Sequence, residues 1–106
     1  MGRVVVVSYR PKPGRDEELL AAVKDHLGVL RAQDLVTDRE AYVMRAKNGA
    51  IVEVFEWKSV DAIAEAHSND AVKALWERFE NVCDYTPLTN LEECHELFAE
   101  FDALEL

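Results

Sequence analysis

The dipeptide Asn48-Gly49 constrains this chain most, because the runs on either side of it, Ala41 to Ala46 and Ile51 to Trp57, are rich in β-branched and aromatic residues. Asn-Gly supplies the two positive φ angles of a type I′ turn, so a tight two-residue hairpin is expected here. Counting outward from that turn sets Lys47 against Ala50, Met44 against Glu53 and Tyr42 against Phe55. Trp57 falls on the same face. The pairing builds an apolar wall of Tyr42, Met44, Ile51, Phe55 and Trp57 with one carboxylate, Glu53, set into it. Buried charges are usually paired, which leaves two readings of Glu53: a partner of Arg3 or Arg10 from a neighbouring strand, or a group available for chemistry.

The flanking segments complete an alternation of strands and helices. Residues Arg3 to Arg10 carry four consecutive valines before Ser8-Tyr9, and Pro11 to Gly14 then breaks the pattern, so a central strand apolar on both faces is expected. Asp16, Glu17 and Glu18 place negative charge in a first helical turn, followed by Leu19, Leu20, Val23, Leu27 and Leu30 at helical spacing. That helix is expected to end near Gln33-Asp34, with Leu35 to Arg39 as a polar connection to the hairpin. After the hairpin, Ser59 caps a short helix and Asn69-Asp70 a second, whose stripe is Val72, Leu75, Trp76, Phe79, Val82 and Cys83. Pro87 ends it at the latest. For the remainder, a helical turn capped by Thr89-x-x-Glu92 and then a fourth strand over Leu97 to Ala103 are expected, since a central first strand needs a partner on each edge. The expected fold is α+β, a ferredoxin-like β-α-β-β-α-β domain with a four-stranded antiparallel sheet, spanning residues 1–106 as one unit.

Composition narrows the functional classes. The net charge is −9, all 12 Lys and Arg residues lie at or before Arg78, and the acids from Glu80 to Glu105 have no Lys or Arg among them. Such a field repels phosphate backbones, so nucleic acid is not expected as a partner. The valine run Val4 to Val7, like every other apolar run in the chain, is far shorter than the roughly 20 residues that span a bilayer, so no membrane partner is expected. The N-terminus lacks the apolar stretch of a secretory signal, which points to the cytoplasm. There Cys83 and Cys94 are expected as free thiols. Read together, Cys83, Asp84, Cys94 and His95 have a spacing that matches no usual zinc pattern, so no metal is expected.

The order of elements, with the segment Val54-Phe-Glu-Trp-Lys-Ser-Val-Asp-Ala-Ile-Ala-Glu-Ala-His67, Pro13-Gly14 at the exit of the first strand, and Ser68-Asn69 after His67, resembles the antibiotic-biosynthesis monooxygenase family. The resemblance covers about residues 3 to 80. It implies a homodimer in which two sheets face each other as a dimeric α/β barrel, with a pocket between each sheet and its own helices. It also implies cofactor-independent oxygen chemistry on a small apolar or aromatic molecule, such as a quinol or a polyketide-type aromatic, where the ionised substrate hands an electron to oxygen directly. A haem-degrading branch of the same superfamily uses an asparagine, a tryptophan and a ligand histidine where this chain has Ser8, His67 and Trp76, and an indole cannot ligate iron as imidazole does.

His67 is the first candidate for the base, since histidine titrates near working pH. Glu53 is the second. His67 also reads as a cap on its short helix. Tyr9, Tyr42, Phe55, Trp57 and Trp76 are candidates to line the substrate pocket, although Trp76 lies on the apolar stripe of its helix, where packing is its main expected role. Two rival functions stand beside catalysis: a non-catalytic homodimer that holds a small hydrophobic ligand, and a domain that docks on a basic protein surface through its acidic C-terminal segment.

Overall fold

A computed structural model describes residues 1–106. The valine run forms the middle of a sheet. β1 (Arg3–Pro11) pairs antiparallel with β3 (Ile51–Trp57), from Arg3 opposite Trp57 to Tyr9 opposite Ile51. β2 (Tyr42–Arg45) lies on the other side of β3. α1 (Asp16–Ala32), α2 (Val60–Ala66) and α3 (Asp70–Val82) complete the α+β fold. The Ser59 side chain accepts from Ala62 N–H at the start of α2, and that of Asn69 from Val72 N–H at the start of α3. Each cap satisfies a donor that the first helical turn leaves free.

With β4 (Cys83–Thr86) and β5 (Asp102–Ala103), the sheet has five strands, not four, in the order β4-β1-β3-β2-β5, all antiparallel. The order of the first four is compatible with a ferredoxin-like arrangement. β1 does have its second partner, but this is β4 (Cys83–Thr86), which leaves α3 without a loop, and not Leu97 to Ala103. The late segment instead makes two 3₁₀ turns, at Leu88–Asn90 and Glu92–His95, and then β5 (Asp102–Ala103) on the outer edge of β2. Both edges are thus closed by very short strands, which present little template for further pairing.

The hairpin forms, with its register moved by one residue. Tyr42 faces Val54, Val43 faces Glu53 and Met44 faces Val52. Gly49 N–H bonds to Ala46 C=O, Ala46 N–H bonds to Ala50 C=O, and only Gly49 of the turn has positive φ, at 91°. This is a three-residue loop, a turn closed by a glycine in the left-handed region, which also favours Asn-Gly. The Asn48 side chain accepts from Ala50 N–H instead of taking a positive φ.

A one-residue shift sends every β2 side chain to the opposite face. Val43 therefore joins Glu53, Phe55 and Trp57 on the helix side, while Tyr42 and Met44 turn to the outer side. The connection after α1 is less polar in its setting than expected. Leu35 and Val36 are buried, and Val36 bridges Trp57.

The main core lies between the sheet and the helices, with Leu19, Leu30, Val72 and Phe79 among its fully buried members. A smaller cluster of Ala46, Ala50, Val52 and Leu91 sits on the outer face, where the C-terminal segment folds back. The rest of that outer face is open, with Val4 58%, Val6 45% and Tyr42 73% exposed. No helix is long and apolar enough to cross a membrane.

Candidate functional site

Glu53 sits mid-strand on the inner face of β3, 1% exposed. Its partners are neither Arg3 nor Arg10. Tyr9 donates its hydroxyl to Glu53 Oε1 at 2.6 Å, and His26 Nδ1 lies 2.7 Å from the same oxygen. A carboxylate oxygen only accepts, so Nδ1 carries the proton of that bond. With Nδ1 engaged in this way, Nε2 is the ring nitrogen that carries the lone pair of a neutral imidazole. This nitrogen has no partner in the chain, and no buried side-chain N or O atom is left unpaired, so Nε2 is open to the cleft that His26 lines.

The sequence places these three groups by simple periodicities. Tyr9 and Glu53 lie on the inner face of paired strands, two residue pairs apart along the ladder. His26 is three residues after Val23 and four before Leu30, on the buried stripe of α1 with Leu19 and Ala22. The rings of Phe55 and Phe79 pack edge-on to the imidazole, with centroids at 5.0 and 5.1 Å. They fix its orientation and keep its surroundings apolar. Burial, and then the Glu53 carboxylate beside it, hold the Tyr9 phenol well above its ordinary pKa of 10.0, so Tyr9 stays a donor.

The cleft has a volume of about 280 Å³. Val5 and Val7 of β1 form its floor with Phe55 and Trp57 of β3, and Trp76 and Phe79 of α3 form a wall. This is near the lower end of the roughly 300–1,000 Å³ usual for small-molecule sites, and the lining has their usual character, mostly apolar with few polar groups. Tyr85 of β4 stands at the opening, half exposed, its ring 5.7 Å from that of Tyr9.

Of the residues expected to form a site, Tyr9, Phe55, Trp57 and Trp76 line this one cleft, with Glu53 just behind His26. Tyr42 does not join them, because the shifted register puts it on the outer face. His67 reaches the rim, exposed, as the residue that ends α2. Its Nδ1 bonds to Ile63 C=O at 3.3 Å, and its ring meets Trp76 edge-on at 5.0 Å. The imidazole thus caps its helix and also borders the cleft. His26 and Tyr85 were not among the expected residues. His26 could have been found as the one titratable side chain on the α1 apolar stripe. Tyr85 could not, because nothing in Cys83–Thr86 marks a strand against the helical stripe running into it.

The site defines the chain as an α+β domain with an aromatic cleft between sheet and helices and a buried histidine–carboxylate pair at its base. No protein-family model, curated protein or solved structure matches the chain.

Proposed function

We propose that the cleft binds a small, flat, mostly apolar molecule bearing a weakly acidic hydroxyl, and that His26 takes the hydroxyl proton at Nε2. Glu53 orients the imidazole and stabilises the imidazolium that forms, the role a carboxylate plays behind a histidine base. Tyr9 holds the same carboxylate oxygen with its hydroxyl. The observation that carries this reading is the 2.7 Å contact between His26 Nδ1 and Glu53 Oε1, since it leaves Nε2 as the basic atom in an apolar cavity. On the family resemblance the ionised aromatic, a quinol or a polyketide-type compound, then passes an electron to dioxygen. The chain would act as a cofactor-independent monooxygenase. His67, at the rim, is the alternative base.

The same proposal includes a homodimer. The open part of the outer sheet face, with Val4, Val6 and Tyr42, is the surface that a second copy would cover to make a dimeric α/β barrel. A second functional reading, a non-catalytic holder of a small hydrophobic ligand, is favoured by the lining of the cleft, which is hydrophobic apart from His26, His67 and Glu80. Oxygen uptake with a panel of quinols and anthrones separates the two. Catalysis by His26 predicts uptake by the parent protein, its loss in a folded His26→Gln variant and its retention in His67→Ala. Loss in His67→Ala alone would move the base to the rim, and no uptake with any compound would leave the binding reading.

A further inference from the structure

The two ends of the cleft differ in chemistry. At the inner end, His26 gives Nδ1 to Glu53 and turns Nε2 to the cleft, where it accepts from a ligand's hydrogen-bond donor when the ring is neutral. At the outer end stands Glu80 of α3, exposed, and no Lys or Arg lines the cleft anywhere. Lys12 lies close to Glu80 but donates its ammonium to the Glu80 carbonyl oxygen, at 2.8 Å, and the Glu80 carboxylate enters no ion pair. Arg3 is one step beyond Val5 on the same face of β1 and is not part of the lining. The remaining groups around the opening are the aromatic faces of Tyr85 and Trp76 and the imidazole of His67, which is edge-on to Trp76.

We infer that the ligand is a phenol-like molecule whose far end is neutral or positively charged, and that the cleft discriminates against the same scaffold ending in a carboxylate. An anion entering here would lose water and find no cation, with Glu80 at the mouth and Glu53 at the base both repelling it. A cation would gain from Glu80 and from the aromatic faces beside it. The setting of Tyr85 agrees: burial first, then Cys83, and after it Glu80 and Glu53, push its phenol up to about 12. The overall charge of −9 acts in the same direction at longer range.

This inference rests on the proposal that the cleft is a ligand site, and one titration tests the two separately. Three probes share a phenol head and differ in the charge of the tail: 4-ethylphenol, tyramine and 4-hydroxyphenylacetate. Binding is read from the indole N–H signals of Trp57 and Trp76 in a ¹⁵N-labelled sample of the whole chain at low salt. The expected order is tyramine at least as tight as 4-ethylphenol, with 4-hydroxyphenylacetate weaker by about tenfold, the scale of one partly screened charge. In Glu80→Gln the advantage of tyramine should vanish and the acid should recover severalfold. Binding of 4-hydroxyphenylacetate as tight as that of 4-ethylphenol would overturn the charge inference while leaving the ligand site standing. Failure of all three probes to move either indole signal would overturn the site itself, and the inference with it.

Discussion

Glu53 can stay in the middle of the inner sheet face only because two donors converge on one of its oxygens. Tyr9→Phe removes one of them. A hydrogen bond to a charged group is worth about 1.5–3 kcal/mol, so this variant should lose about that much stability at neutral pH by urea titration. Its alkaline behaviour should change in the opposite sense. The Tyr9 pKa is raised in the folded state above its ordinary 10.0, so its contribution is complete below that pH and is lost as pH rises toward the folded value. Cys83, pushed up to about 11 from 9.0, chiefly by burial, adds a loss of the same sign from pH 9 upward. Parent and variant should therefore converge in stability above about pH 10, and a constant difference between them would contradict the account. The burial of Glu53 was legible from strand alternation alone. Its partner was not, because reading a helix by its apolar residues passes over a histidine that occupies an apolar position.

The hairpin and the two late strands set the limits of legibility at the level of elements. Asn48-Gly49 marked the turn, yet two-residue and three-residue loops both favour that dipeptide, and the choice between them decides which side of β2 faces the cleft. Tyr42 was lost from the candidate site for this reason. The need for a second partner to β1 was also legible. Its place was not, since Cys83–Thr86 follows α3 with no turn residue between, and the apolar stripe of the helix continues through Val82 and Cys83. The C-terminal segment is anchored by Leu91, which is 0% exposed against Ala46, Ala50 and Val52, and by the Glu93 carboxylate, which accepts from Lys47 N–H. Leu91→Ala should cost about 2–5 kcal/mol and make the chain beyond Pro87 a preferred site of limited proteolysis. An unchanged urea midpoint would mean that this segment is not packed on the sheet.

The whole molecule is a two-layer slab, 33 × 31 × 23 Å, with helices on one face of the sheet and only part of a terminal segment on the other. A domain of this size buries a modest share of its surface, and exposed valines on a central strand add to the apolar area left in water. The proposed homodimer would cover it. Sedimentation of the parent protein at micromolar concentration should show a dimer, and Val6→Asp, on the open face and away from the cleft, should give a folded monomer. A stable parent monomer would remove the barrel from the account while leaving the cleft in place, because all of its lining residues come from one chain.

The central claim is that His26 presents an unprotonated Nε2 to an aromatic cleft, with its Nδ1 proton held by Glu53. Long-range ¹H–¹⁵N correlation of the imidazole, with and without 4-ethylphenol, measures this directly. The account predicts a neutral ring protonated at Nδ1 in the free protein, with the Nε2 resonance moving when the phenol binds. A ring protonated at Nε2 in the free protein, or an Nε2 signal indifferent to a phenol that does shift the Trp57 and Trp76 indoles, would contradict it.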